Sequence, residues 1–259
     1  KVCEALIKEL MGSYHIAGSV LYKTFGGSPS GACITAEINS FVHLMYLVMC
    51  WFIIGEVSYE LRRKNFGTYS SKYPELVEYL REVNMKGLEF TTEDFFANCI
   101  PVVYGDDGIY SVSDAFIGVF NAVSISIILG AHNLTVTNAD KKKEIRPSFP
   151  FDECEFLKRK FVPHPLLDGF YASQMRWDVV EEMVKWIRRK PLTADEATLS
   201  NCESSLTFAF GHGEAKYYEW LGVLETSLNS VYGNRVVAPQ IDFLDIARRM
   251  FPEIHIEKF

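Results

Sequence analysis

The segment from Ile100 to Val112 constrains the fold more than any other part of the sequence. An apolar run, Ile100 to Tyr104, is followed by Gly105-Asp106-Asp107-Gly108 and then by a second run, Ile109 to Val112. Two β-branched and aromatic runs on either side of a short Gly/Asp turn predict a β-hairpin. The sequence therefore predicts a hairpin that carries two adjacent carboxylates at its tip.

The two carboxylates of Asp106 and Asp107 admit two interpretations. A surface turn explains them simply, because Asp and Gly are common turn residues. A metal site explains them as well, because paired anions on a rigid element need a counter-charge when they leave water. Carboxylate oxygens are hard ligands that favour Mg²⁺ or Mn²⁺. The apolar strand in front of the turn favours the metal site, since it predicts a tip held on the core.

A second group of polar residues surrounds the start of a long apolar helix. The Gly-rich segment 26–31 (GGSPSG) leads into this helix, and Thr35 and Asn39 follow four residues apart. Residues with that spacing share one face of a helix. A helix N-terminus suits phosphate groups. A structural interpretation is simpler, with Ser30 as the N-cap and Asn39 as a buried polar residue, but it does not account for two polar residues on an otherwise apolar helix.

Hydrophobic patterns elsewhere predict an α+β first part and a helical second part, with a boundary near residue 165. In the first part we expect helices at 2–11, 32–54, 74–83, 92–98 and 113–131, and strands at 15–25, 134–137 and 155–162. In the second part we expect helices at 176–189, 193–210, 213–231 and 240–250.

Composition excludes several classes of protein. The net charge is −7, which argues against a protein that binds nucleic acid through overall positive charge. The six cysteines are scattered without a CxxC pair, which argues against structural zinc and fits a reducing compartment. The most apolar run, Phe41 to Ile54, is shorter than the roughly 20 residues that span a bilayer. We therefore expect it to be a buried core helix.

Four motifs in order resemble those of one enzyme family. The pattern GGSPSGxxxTxxxNS at 26–40 and YGDD at 104–107 resemble motifs B and C of picorna-like viral RNA-dependent RNA polymerases. TNADK at 137–141 is similar to motif D, and FLKR at 156–159 is similar to motif E. A single motif of this length can arise by chance. Four such motifs in the family's order and at suitable spacing make the resemblance specific.

The resemblance implies a partial right-hand polymerase. We expect residues 1–165 to form a palm portion, an antiparallel sheet with helices that carries motifs B to E, and residues 166–259 to form an α-helical thumb. The fingers and motif A are expected to be absent, because the 25 residues before Gly26 contain no aspartate. Without motif A the two-metal site is incomplete, so we expect that this chain does not polymerise alone. The chain starts at Lys1 without an initiator methionine, so we expect a piece of a polyprotein.

The resemblance also implies roles in nucleotidyl transfer. Asp106 and Asp107 would bind the catalytic Mg²⁺, for which Mn²⁺ can substitute. Lys141 would be the general acid for pyrophosphate, and Lys158 and Arg159 would lie near the primer backbone, where cations favour phosphates.

Motif B implies a second set of roles at the incoming nucleotide. Ser30, Thr35 and Asn39 would read the ribose 2′-hydroxyl, and Gly31 would give the loop flexibility for translocation. The implied partners are RNA template and primer, ribonucleoside triphosphates, the missing N-terminal region of the polyprotein and other viral replication proteins. The family also implies a membrane-associated replication complex in the host cytoplasm.

Three other interpretations remain open. An RNA-directed DNA polymerase also places paired aspartates on a hairpin, although Asn39, the PSG loop and the FLKR segment argue against it. A non-catalytic palm–thumb remnant, or an RNA-binding or interaction module, would retain the fold without the reaction. An unrelated acidic protein could carry short motifs by coincidence.

Overall fold

The computed structural model describes residues 14–17, 19–23, 35–139, 141, 144–164, 166–186 and 192–250. The predicted helix at 2–11 lies outside these residues. The chain divides into two compact units, Lys1–Ser148 and Phe149–Phe259. Both units combine helices with antiparallel strands, so the predicted mixture of helix and sheet is confirmed.

The first unit contains two β-hairpins and five helices in its described part. Strand β1 pairs with β2, and β3 pairs with β4, both antiparallel. The predicted strand at 15–25 is therefore a hairpin within its described residues, and residues 24 and 25 lie outside them. The elements are β1 (Tyr14–Ala17), β2 (Val20–Lys23), α1 (Thr35–Arg62), α2 (Thr68–Lys72), α3 (Pro74–Leu80), α4 (Thr92–Asn98), β3 (Cys99–Tyr104), β4 (Asp107–Val112) and α5 (Ala122–Gly130).

Helix α1 forms the centre of the first unit. Its buried residues recur three to four positions apart, as one face of a helix requires. Trp51 on this face is fully buried, and its ring centroid lies 4.7 Å from that of Phe116 and 5.2 Å from that of Phe120. Its indole N–H donates a 3.0 Å hydrogen bond to the carbonyl of Thr91. The Trp51 ring thus packs α1 against the turns after β4, and its hydrogen bond ties α1 to the segment before α4.

By length and composition alone, α1 could also cross a membrane, with a mean hydropathy of 1.7. In the structure its inner face packs against β3 and against α2 to α5. Cys50, Ile54 and Val57 on this face have no exposed surface. This face packs as that of a core helix does, whereas Phe41, Met45 and Phe52 elsewhere on the helix are exposed. The expectation that the helix is buried as a whole stays a prediction.

Two further predicted elements of the first unit differ from the structure. The helix expected at 113–131 begins only at Ala122, because the Asn121 side chain caps it by accepting hydrogen bonds from the backbone N–H groups of Val123 and Ser124. The preceding residues form turns. The strand expected at 134–137 is wrong, since that segment forms no regular structure.

The second unit contains a three-stranded antiparallel sheet, in the order β5-β6-β7, and four α-helices in its described part. The boundary predicted near residue 165 falls between two paired strands of this sheet, while the units divide at Ser148. The assignment of the units to palm and thumb stays a prediction. The elements are β5 (Glu155–Phe156), β6 (Arg159–Pro163), β7 (Tyr171–Met175), α6 (Trp177–Glu182), α7 (Ala194–Ala209), α8 (Glu214–Tyr232) and α9 (Phe243–Met250).

Aromatic residues with satisfied polar atoms form the core of the second unit. The buried Tyr217 hydroxyl donates to the carbonyl of Ile241 at 2.7 Å, and the Trp220 indole N–H donates to the Ser205 hydroxyl at 2.6 Å. Such bonds offset the cost of burying polar groups. They fix α7 and α8 side by side and join α8 to the segment before α9.

Candidate functional site

The predicted hairpin at Ile100 to Val112 is confirmed, with a two-residue turn. Tyr104 pairs with Asp107, which leaves Gly105 and Asp106 between the strands. Gly105 has a φ of +64°, whereas Asp106 is not in the left-handed region. A left-handed first residue, usually glycine, is typical of the type II′ turns that suit the twist of a hairpin. The local sequence therefore places the Asp106 carboxylate at the apex of a rigid element.

The two predicted metal ligands occupy different positions on the hairpin. Asp106 lies in the turn, whereas Asp107 is the first residue of β4, and both are exposed. Neither forms an ion pair with a described residue. Within the described part of the chain, no group of three or more His, Cys, Asp or Glu side chains could hold a metal ion. The two carboxylates fit a divalent cation by donor type, and they supply only part of a ligand set.

Helix α1 brings the predicted ribose-reading residue to this turn. Thr35 is the first residue of the helix, and the exposed Asn39 follows one turn later. The next residue, Ser40, accepts a 2.7 Å hydrogen bond from the backbone N–H of Gly105. Asn39 is therefore next to the acceptor of this hydrogen bond, Ser40, and Asp106 is next to its donor, Gly105. Ser30 and Gly31 lie outside the described residues.

His43 contacts the other end of the acidic segment. A Cβ built on Gly108 would lie 2.7 Å from His43 Cε1 and 3.1 Å from Nε2. The His43 ring also meets the Tyr110 ring edge-on, with centroids 6.3 Å apart. Gly108 is therefore required for the close approach of His43, while Gly105 is required for its backbone conformation.

Lys141, the predicted general acid, lies in an exposed loop after α5. Its φ is +55°, and its backbone N–H donates to the carbonyl of Asn138 at 2.9 Å. Among the described residues, no hydrogen bond or ion pair joins Lys141 to the hairpin. Its neighbours Lys142 and Lys143 lie outside those residues, so its predicted role stays a prediction.

Lys158 and Arg159, the predicted primer contacts, belong to the second unit. The predicted strand at 155–162 is instead the hairpin of β5 and β6, in which Phe156 pairs with Arg159. Its two turn residues, Leu157 and Lys158, have φ values of +51° and +61°. Two left-handed residues characterise a type I′ turn. Lys158 is exposed, while the Arg159 guanidinium lies 5.0 Å from the centroid of the Phe208 ring.

Sequence reasoning found Asn39 and the two aspartates but assigned no role to Ser40 or His43. A signal was available, because two further polar residues follow Asn39 on an apolar helix at positions i+1 and i+4. Their partners are the backbone N–H of Gly105 and the empty side-chain space of Gly108, which no side-chain pattern identifies. The structure was therefore needed to show that α1 contacts both ends of the acidic segment.

Comparisons with known proteins identify the family of this chain. Residues 1–225 match the model of a protein family described as viral RNA-dependent RNA polymerase. The RNA1 polyprotein of cherry rasp leaf virus is 30% identical over 215 residues, 80% of this chain and 8% of that polyprotein. The genome polyprotein of deformed wing virus is 24% identical over 221 residues, 85% of this chain and 6% of the polyprotein.

A solved structure shows the same fold. The Sicinivirus 3Dpol RNA-dependent RNA polymerase matches with a TM-score of 0.62 and 18% identity, over 95% of this chain and 42% of that one. The chain thus spans less than half of the solved polymerase and less than a tenth of these polyproteins. The predicted relationship to picorna-like polymerases is confirmed, and the chain belongs to the viral RNA-dependent RNA polymerase family.

Proposed function

We propose that this chain is part of a polymerase that performs template-directed RNA synthesis during viral RNA replication. One observation carries the proposal. The exposed Asp106 lies in a hairpin turn whose backbone is hydrogen-bonded to Ser40, the residue next to Asn39. A metal-binding carboxylate and a ribose-reading amide are thereby held on one core. The family relationship supplies the reaction class.

Asp106 and Asp107 would hold Mg²⁺, or Mn²⁺ in its place. Bound there, the metal ions would favour deprotonation of the primer 3′-hydroxyl and stabilise the charge on departing pyrophosphate. Asp106 would be the principal ligand and Asp107 a second ligand or support. Two carboxylates do not complete a two-metal site, so further ligands would come from the upstream region of the same polyprotein.

The start of α1 would bind the incoming ribonucleotide. Asn39 would hydrogen-bond the 2′-hydroxyl, the group that distinguishes ribose from deoxyribose. Ser30 and Thr35 would assist this recognition, and Gly31 would let the preceding loop change conformation as the RNA advances. In the reaction, the primer 3′-oxygen forms a bond to the α-phosphorus while the bond from that phosphorus to pyrophosphate breaks.

Basic residues would protonate the leaving group and bind the primer. Lys141 would donate a proton to pyrophosphate, which would become a better leaving group. Lys158, exposed at its hairpin turn, and Arg159 beside it would contact primer phosphates. Local cations of this kind are compatible with a net charge of −7, because phosphate binding depends on where charge lies.

The proposed partners follow from the reaction and the polyprotein relatives. They are RNA template and primer, ribonucleoside triphosphates, the remaining polymerase regions and other viral replication proteins. The proposed location is a membrane-associated replication complex in the host cytoplasm.

Primer extension on an RNA template tests the proposal. This chain alone and the whole polymerase that contains it would each receive Mg²⁺ and either ribo- or deoxyribonucleoside triphosphates. We expect only the whole polymerase to extend the primer, and to prefer ribonucleotides. Preference for deoxyribonucleotides would favour an RNA-directed DNA polymerase. No extension by the whole polymerase would favour a non-catalytic module.

A further inference from the structure

We propose that Ser40 and His43 are positioning residues that hold the segment Gly105–Gly108 from both ends and so fix Asp106 relative to Asn39. This inference rests on the proposed polymerase function. It adds two residues that bind neither metal nor nucleotide. They act through the backbone of the turn that carries the metal ligands.

Ser40 holds the first end through a hydrogen bond of defined direction. Its hydroxyl donates to the carbonyl of Ala36 at 2.6 Å, so its oxygen is free to accept from the Gly105 N–H at 2.7 Å. Gly105 is buried and lies in the turn, where its N–H has no partner in the strand ladder. A buried N–H without an acceptor is costly. Ser40 therefore satisfies the one donor that the turn leaves open at this end.

His43 holds the second end through the packing of its ring. Its ring occupies the space that a side chain at Gly108 would need, with Cε1 2.7 Å from the Cβ position. Its Nδ1 is buried and makes no hydrogen bond to any described residue. The ring is thus held by packing, against Gly108 on one side and edge-on to Tyr110.

The two contacts have matching spacing. Ser40 and His43 are three residues apart and share a face of α1, while Gly105 and Gly108 are three residues apart and flank both aspartates. A shift of the turn along α1 would break both contacts together. Because Asn39 precedes Ser40, such a shift would also change the distance between the metal ligands and the ribose-reading amide.

Ser40 variants of the whole polymerase test the hydrogen bond. For Ser40→Ala we expect kcat to fall about tenfold, the effect of leaving one buried donor unpaired. The preference for ribo- over deoxyribonucleotides should fall with it, and Ser40→Thr should restore both because it keeps the hydroxyl. Ser111→Ala, on the exposed side of the same hairpin, is the matched control. A fall in kcat with unchanged sugar preference would overturn the positioning role.

A double-mutant cycle tests the packing contact. Gly108→Ala places a methyl group against the His43 ring, and we expect it to lower kcat about tenfold by displacing the turn. His43→Ala removes one of the two rings that the methyl group would meet, the other being Tyr110, whose Cε1 lies 2.9 Å from the Cβ position. The double variant should therefore recover part of the activity that Gly108→Ala loses. If the two single substitutions lower kcat additively in the double variant, or if Gly108→Ala leaves kcat unchanged, the proposed packing contact is contradicted.

Amide hydrogen exchange separates this inference from the proposed function. In the whole polymerase, the Gly105 amide should exchange faster in Ser40→Ala than in the wild type, whether or not the protein incorporates nucleotides. Unchanged exchange would overturn the inference even in an active enzyme. A wild type without activity, combined with faster exchange in the variant, would contradict the polymerase proposal and leave the contact supported.

Discussion

The backbone N–H of Gly105 lies 2.7 Å from the hydroxyl oxygen of Ser40, although the two residues are 65 positions apart in the sequence. This bond joins two segments that each carry one half of the candidate site. Asn39 precedes Ser40 on α1, and Asp106 follows Gly105 in the turn. The helix that we propose reads the sugar and the hairpin that we propose binds metal are therefore joined by a direct hydrogen bond.

Asn39→Ala should weaken the discrimination between ribo- and deoxyribonucleotides. The amide would lose its bond to the 2′-hydroxyl, an interaction of about 1–3 kcal/mol, so the ratio of kcat/KM values should fall roughly tenfold to a hundredfold. Steady-state incorporation of each nucleotide by the whole polymerase measures this ratio. Asn65→Ala, an exposed residue beyond α1, is the control. An unchanged ratio would remove Asn39 from sugar recognition.

Two substitutions in the β5–β6 turn should separate backbone strain from RNA binding. Leu157 and Lys158 both have positive φ values, which cost about 1 kcal/mol or more for such residues. Leu157→Asn and Lys158→Gly should each raise Tm, since Asn and Gly suit a type I′ turn. Only Lys158→Gly should weaken primer binding, because it alone removes a cation. Equal primer affinities for the two variants would contradict a role for Lys158.

Sequence reasoning predicted best where local rules dominate. The β3–β4 hairpin and the helices α3 and α4 follow from apolar runs, turn residues and caps that lie within a few positions. Prediction failed at residues 113–131, where Asn121 starts the helix late by capping it with its own side chain and with Ser124. Asn121 also donates to the Tyr79 hydroxyl at 2.9 Å, a contact across 42 positions. Tertiary contacts of this kind leave no local pattern.

The candidate site shows the same limit. Asp106 and Asn39 could be proposed from the sequence because the chemistry assigned to them lies in their own side chains. The contacts of Ser40 and His43 were not, because their partners are the backbone N–H of Gly105 and the empty side-chain space of Gly108. The division at Ser148 was also missed, since β6 and β7 pair across the Pro-containing segment that suggested a boundary.

The capping box at the start of α4 should make stability depend on acid pH. The Thr91 hydroxyl and N–H both donate to Asp94, at 2.6 and 3.0 Å, and hold the pKa of its carboxyl below the ordinary value. A lowered pKa stabilises the folded state above the unfolded-chain value of about 3.9, and this stabilisation is lost as the pH falls through the folded pKa.

Asp94→Asn should therefore lower Tm at neutral pH, and the difference from wild type should shrink as the pH falls below about 4. Thermal unfolding followed by circular dichroism across this range measures the difference. Asp114→Asn, an exposed residue after β4, is the control. A difference that stays constant down to about pH 3 would contradict the assigned cause.

Buried thiols should resist modification in the folded chain. Burial raises the pKa of Cys50 to about 12 and that of Cys99 to about 11, and the thiolate is the reactive form. Among the four cysteines that the structure describes, iodoacetamide at about pH 8 should label the half-buried Cys154 first, and it should reach Cys50 and Cys99 only in denaturant. Peptide mass spectrometry over time gives the order. Early labelling of Cys50 would contradict the core position of α1.

The most direct test of the account is RNA primer extension by the whole polymerase carrying Asp106→Asn. The substitution keeps the size of the side chain and removes one negative oxygen ligand at the apex of the turn. We expect incorporation to fall at least about a thousandfold, since electrostatic stabilisation at the reacting phosphate depends on the bound metal. Asp114→Asn should incorporate normally, and unchanged Tm values would show that both variants fold. Activity within a few-fold of wild type for Asp106→Asn would contradict the assignment of this hairpin as the catalytic centre.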